Sequence, residues 1–170
     1  MSLIEIKPVD TEYYETTIRG FLPQRIIDMH THVWKAEMKK PKPAHNRKRT
    51  VSWPSRVARD NPVEDLVETY RLMLPGKEVT PLMFATVGGR DEDFDAMNGY
   101  VSESASSYNF PALIFARPDW SAEQFEQKAI DGGFVGAKVY LSLADPSVDT
   151  NDITIFDFLP HHQLEVIDRH

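Results

Sequence analysis

Apolar positions along this chain fall into two recurring patterns, short runs and longer stretches spaced by three and four. Residues 25–34 alternate, with Asp28, His30 and His32 on one side and Ile27, Met29, Thr31 and Val33 on the other, as in a strand with two unlike faces. Val63, Leu66, Val67, Tyr70 and Leu74 follow at helical spacing, opened by Asn61-Pro62 as cap and first-turn proline and stopped by Pro75-Gly76. Residues 79–87 form a near-continuous apolar run, as in a strand buried on both faces, closed by Gly88-Gly89. Asp91 is the expected cap of a helix to about Tyr108, with Phe94, Met97, Val101 and Ala105 along one face. Residues 110–116 read as a third strand. Ser121 with Gln124 reads as a capping box for a helix to about Ile130, ended by Gly132-Gly133. Residues 134–143 read as a fourth strand, and a last helical segment begins near Ile155, restarts at Pro160 and runs to His170.

Strand followed by helix, four times over, predicts a parallel sheet with helical crossovers. Periodicity alone suits a doubly wound sheet and a barrel equally. No glycine-rich phosphate fingerprint follows any strand, because Gly88-Gly89-Arg90 and Gly132-Gly133 lack the spacing, so a nucleotide-binding sheet is disfavoured. Residues 1–24 precede this pattern as a separate arm, read as a small hairpin or an extended segment punctuated by Pro8 and by Gly20 to Pro23.

Composition adds bounds. A chain of 170 residues, 41% hydrophobic and 26% charged, suits one globular domain. It has no apolar run of membrane-spanning length and no apolar core of a secretory signal near its start, so a cytoplasmic protein with no membrane partner is the default expectation. Zero cysteines exclude disulfides and thiolate metal sites within it. The net charge of −7 argues against nucleic acid as the main partner, but it is uneven: residues 35–59 hold nine basic residues against Glu37, so that window is +8 and the remainder is −15. The window lies in a long connection, 35–61, with Pro41, Pro43 and Pro54. It reads either as a basic lid for an anionic substrate, anchored by Trp53, or as a solvated loop. His45 within it is a remote candidate for a third metal ligand.

His30 and His32 carry the sharpest chemistry. Two imidazoles two residues apart on a strand project together and suit one divalent ion. This strand, with the phrase Phe21 to Val33, resembles the first-strand signature of the amidohydrolase superfamily, most closely its amidohydrolase 2 branch of hydrolases and related lyases. The resemblance implies a metal-dependent (β/α)8 TIM barrel, with residues 25–170 supplying about four βα units as its N-terminal half. It implies His30 and His32 as metal ligands, zinc the first choice, and Asp28 as a partner that orients one of them. The ion would lower the pKa of a bound water and polarise a scissile carbonyl.

The fourth strand contains Lys138, and a lysine inside a strand is costly to bury as a cation without a partner. Three explanations stand. Gly136-Ala137-Lys138-Val139-Tyr140 resembles the segment around the carbamylated, metal-bridging lysine of dihydroorotases and hydantoinases, although a single metal without a carbamate is usual in the amidohydrolase 2 branch. Lys138 could instead bind a substrate carboxylate, or pair with an inward carboxylate such as Asp28. Arg117, at the end of the third strand, suits bidentate carboxylate recognition or a rim ion pair. Tyr140 suits a hydrogen bond to substrate or a filling role. His161, His162 and His170 read as surface residues.

The resemblance also implies what these 170 residues lack. Members add histidines from the fifth and sixth strands and, from the eighth, the aspartate that activates water. The chain is therefore expected to be truncated, with that aspartate beyond residue 170, and inactive alone. The expected function is hydrolysis of an amide, ester or lactone bond in a small-molecule substrate bearing a carboxylate. One alternative is a metal-dependent decarboxylase or other lyase on the same barrel. A second is a non-catalytic half-barrel that assembles as a homo-oligomer through its open edges.

Overall fold

The computed structural model describes residues 4–38, 58–86 and 89–170. Within them the chain is mixed α/β. Four parallel strands, β1 (Arg25–Val33), β2 (Glu78–Ala85), β3 (Ile114–Phe115) and β4 (Ala137–Lys138), alternate with helices α2 (Val63–Met73), α3 (Phe94–Tyr108), α4 (Ala122–Asp131) and α5 (His161–Arg169). An N-terminal helix, α1 (Pro8–Tyr13), runs on as a π-helix over Tyr14–Ile18.

The strands lie side by side in chain order. β1 pairs with β2 and β3 with β4, while a parallel bridge from Met83 to Ala112 joins the two ladders. At that bridge Met83 N donates to Pro111 O (3.0 Å) and Leu113 N donates to Met83 O (2.8 Å). Continuing the register, Phe115 N would next donate to Ala85 O. It does not. Asn98, buried on α3, takes both polar groups of Phe115: Phe115 N donates to Asn98 Oδ1 (2.8 Å) and Asn98 Nδ2 donates to Phe115 O (3.0 Å). One side-chain amide replaces a neighbouring strand, and the sheet parts there. The strand expected over 110–116 is limited to Ile114–Phe115. The one expected over 134–143 contracts with it and turns into a 3-10 helix at Leu141–Leu143.

The arm is helical, not a hairpin. Pro8 occupies the first turn, where its missing N–H costs nothing, and Lys7 N donates to Asp10 Oδ2 (3.0 Å) to close the helix start. The arm seats at the N-terminal ends of the strands. Tyr14 Oη donates to Pro75 O (2.8 Å), and Lys77 Nζ donates to the carbonyls of Arg19 (2.7 Å) and Leu22 (2.8 Å) behind the π-helix.

Caps fall close to their expected places, with two shifts. Ser121 and Gln124 form the capping box of α4 as expected. Asp93, not Asp91, caps α3 by accepting from Ala96 N (2.9 Å). Asn61 does not cap α2, because it is engaged with β1: its backbone bridges Trp34 in both directions, and its Nδ2 donates to His32 O (2.7 Å).

One side of the sheet is packed by the helices. Val33, Met83, Ala85 and Ala112 meet Leu66 of α2 and Met97, Val101 and Ala105 of α3. Ile114 and Ala116 meet Phe125 of α4 and Val166 of α5. No helix among the described residues is long and apolar enough to cross a membrane.

Candidate metal centre

Strand β1 carries one residue more than its partner. Asp28 pairs with Pro81 but Thr31 pairs with Met83, so three steps on β1 match two on β2. Such a bulge reverses the alternation beyond it. Asp28, His30 and His32 therefore do not share a face, contrary to the strict period of two. Asp28 and Thr31 both turn toward α2, where Tyr70 Oη donates to Asp28 Oδ2 (2.8 Å) and lies 3.3 Å from Thr31 Oγ1. Ile27 and Met29, expected on the apolar face with Thr31 and Val33, are 66% and 65% exposed, whereas Thr31 and Val33 are buried. Burial raises the pKa of Tyr70 above the ordinary tyrosine value, and its hydrogen bond to Asp28 adds to that, against a lowering contribution from Thr31.

Beyond the bulge, His30 and His32 stay together. Their ring centres are 5.2 Å apart, with planes tilted by 58°. Two imidazoles held at about 2.0–2.1 Å by one tetrahedral ion have ring centres roughly 5 Å apart, so the spacing fits a shared metal. His32 Nδ1 lies 2.9 Å from Ala85 O, the carbonyl that Asn98 releases from the β2–β3 ladder. A carbonyl only accepts, so Nδ1 carries the hydrogen and Nε2 becomes the lone-pair nitrogen of the neutral ring. A histidine ligand commonly has its second nitrogen fixed in this way. The ring nitrogens of His30 make no hydrogen bond among the described residues.

Both rings meet the edge-on face of Phe84, with centroids at 5.2 and 4.6 Å. Lys138 Nζ stands over the same Phe84 ring at 4.7 Å and over the Tyr140 ring at 5.1 Å. His32 pairs with Phe84, whereas the Met83–Ala112 bridge puts Phe84 opposite Leu113 and Lys138 pairs with Phe115, so Lys138 reaches the Phe84 ring from two positions further along the sheet. Among the described residues Lys138 makes no hydrogen bond or ion pair. The Asp28–Lys138 pair considered from sequence does not form, because Asp28 is committed to Tyr70 and to His30 N (3.1 Å) on the other side. The hydroxyl of Tyr140 is buried without a hydrogen-bond partner among the described residues, and burial raises its pKa. Phe84 was not recognisable as a site residue, since it sits in an apolar run without chemical contrast. Tyr70 carried only the signal of helical spacing.

A cleft of about 450 Å3 opens between β1 and α2, lined by His30 and His32 together with Asp28, Asn61 and Tyr70. Among the described residues no third His, Asp or Glu joins the histidine pair. His45 and Trp53, with most of the basic connection, lie outside the described residues.

Arg117 lies apart, in a polar recess with Glu92, Asp93, Asp95 and Trp120. Its guanidinium grips Asp119 with two hydrogen bonds, Nε to Oδ1 (2.8 Å) and Nη2 to Oδ2 (2.7 Å), and stacks 5.2 Å from Phe94. The rim ion pair is thus the alternative that forms. The Arg117 hydrogen bonds hold the Asp119 carboxyl below its ordinary value. Of the late histidines, His161 stacks on Phe156, His162 Nε2 lies 2.9 Å from Trp120 O, and His170 pairs with Glu126. Comparison of the chain with protein-family models, curated proteins and solved structures gives no match.

Proposed function

We propose that His30 and His32 are two ligands of a divalent metal ion, zinc the first choice, in a metal-dependent hydrolase of the amidohydrolase type. The observation that carries this reading is the gathering of both imidazoles and the Lys138 ammonium around Phe84 at the C-terminal ends of parallel strands. Strand order in chain sequence supports a singly wound (β/α)8 architecture, of which residues 25–170 are the N-terminal half. The exposed Ile27 and Met29 support it too, since they lie where the inner face of a closed barrel would be filled.

A bound divalent ion supplies Lewis acidity and a water of lowered pKa at such a site. The chain's own residues do the rest. Ala85 O holds His32 in the tautomer that offers Nε2. Lys138, a cation with aromatic neighbours and no carboxylate partner among the described residues, binds an acidic group of the substrate. Tyr140, whose hydroxyl has no hydrogen-bond partner among the described residues, donates to a substrate oxygen. Phe84 excludes water beneath both. The same cation would serve a carboxylated substrate of a lyase, so product identity separates the two reactions.

Zinc titration of the purified chain by calorimetry tests the metal reading. Binding that disappears in H30A/H32A is expected, and wild-type binding no tighter than that of the double variant overturns it. Incubation of the metal-loaded protein with carboxylate-bearing amides, esters and lactones tests the hydrolase assignment. Release of carbon dioxide in place of a hydrolysis product would move it to a lyase.

A further inference from the structure

The two histidines are supported differently. His32 has a ring hydrogen bond to Ala85 O, whereas the ring of His30 has none among the described residues, so its backbone is its only polar anchor. That backbone belongs to the bulge, where an extra residue leaves an N–H outside the ladder. The carboxylate of Asp28 fills the gap by accepting from His30 N (3.1 Å) through Oδ1, while its Oδ2 accepts from Tyr70 Oη (2.8 Å). Thr31, 4% exposed, closes the group with Oγ1 3.3 Å from Tyr70 Oη and 3.5 Å from Asp28 O. Tyr70 belongs to α2, and Asn61 just ahead of α2 holds His32 O. Tyr70 and Asn61 therefore hold β1 on either side of His30, at Asp28 and at the His32 carbonyl.

We infer that Tyr70 is a positioning residue for the metal pair: through Asp28 it fixes the β1 bulge and so aims His30 at the ion that His32 binds. The inference rests on the reading of His30 and His32 as ligands. Tyr70 touches neither imidazole in the contacts described, so its effect is carried by the backbone of β1. Partners one step behind a ligand typically change metal affinity by about ten- to a hundredfold, which sets the size of effect to look for.

The test is a double-mutant cycle read by zinc affinity in wild type, Y70F, H30A and Y70F/H30A, with amide hydrogen exchange at His30 followed in parallel. Y70F is expected to weaken zinc binding by about ten- to a hundredfold in the wild-type background and by less than about twofold once His30 is gone. It should also speed exchange of the His30 amide in the metal-free protein. A loss of fold stability alone would weaken binding equally in both backgrounds, and that result overturns the inference. Unchanged affinity in Y70F, with zinc still bound by wild type, overturns the inference and leaves the metal reading intact. Wild-type protein without zinc affinity overturns both. Should Y70F fail to fold, the pair D28N and D28A replaces it. Asparagine can still accept from His30 N, so D28N should keep most of the affinity that D28A loses, and equal losses in the two overturn the inference.

Discussion

At the scale of single residues, a charge is read by what neutralises it. Arg117 and Lys138 were both candidate carboxylate binders in the sequence, Arg117 at the end of the third strand and Lys138 inside the fourth. Arg117 is answered by Asp119 in a two-bond grip, and Lys138 stands on Phe84 and Tyr140 with no anionic partner among the described residues. The two should respond differently to substitution. Lys138→Met is expected to abolish binding of small carboxylates to the zinc-loaded protein while leaving zinc affinity within about threefold, because methionine preserves packing on the rings and removes only the charge. Calorimetric titration with zinc and then acetate checks it, and equal carboxylate binding in the variant would remove Lys138 from the site. Arg117→Ala should instead raise the Asp119 pKa toward its ordinary 3.8, measured by carboxyl NMR titration. The sign follows from linkage. A carboxyl depressed in the folded state contributes stability above its unfolded pKa, and loses it as pH falls through the lower folded value. Wild type and variant should therefore converge in stability in acid, below the ordinary carboxyl range.

At the scale of elements, hydrophobic spacing located every helix from α2 onward and the four strands between them along the chain, because burial of one face leaves its period in the sequence. It did not locate the bulge. Asp-Met-His-Thr-His obeys strict alternation on paper, and only the competition of Asp28 for His30 N and for Tyr70 reveals the extra residue. Nor did it locate the parting of β2 from β3, which depends on a tertiary contact from Asn98. The proline at position 8 was read as a breaker, although at a helix's first turn it is a starter. Asn98 offers a quantitative check. Asn98→Leu conserves volume but strands the N–H and C=O of Phe115, so it should cost about 2–4 kcal/mol by denaturant unfolding. A smaller cost would mean that Phe115 N recovers Ala85 O by closing the ladder. In that event the His32 ring should lose its Nδ1–H preference, visible in imidazole nitrogen shifts.

At the scale of the whole molecule, the described residues leave a parallel sheet with two edges and an unfilled face. β1 is nine residues long, and its described pairing within the sheet is to β2 alone. Beside that ladder Ile27 and Met29 expose two-thirds of their surface, at positions where water gains nothing from them. Long edges with apolar neighbours recruit further strands unless charge or proline blunts them, and β1 has only Arg25 and Asp28 as charged positions, the latter turned to Tyr70. The 170-residue chain in isolation is therefore expected to self-associate through this face, with sedimentation showing a concentration-dependent rise above the monomer mass. Ile27→Lys combined with Met29→Lys places two ammonium groups on the same face and should shift the protein toward monomer by at least tenfold in dissociation constant, while leaving its circular dichroism unchanged. The same substitutions lie beside His30 without touching Tyr70, so zinc affinity should fall only through the added positive charge and recover as salt is raised. A monomer at every concentration in the parent chain would show that the open face is tolerated in water. It would also remove the main reason for expecting a homo-oligomer.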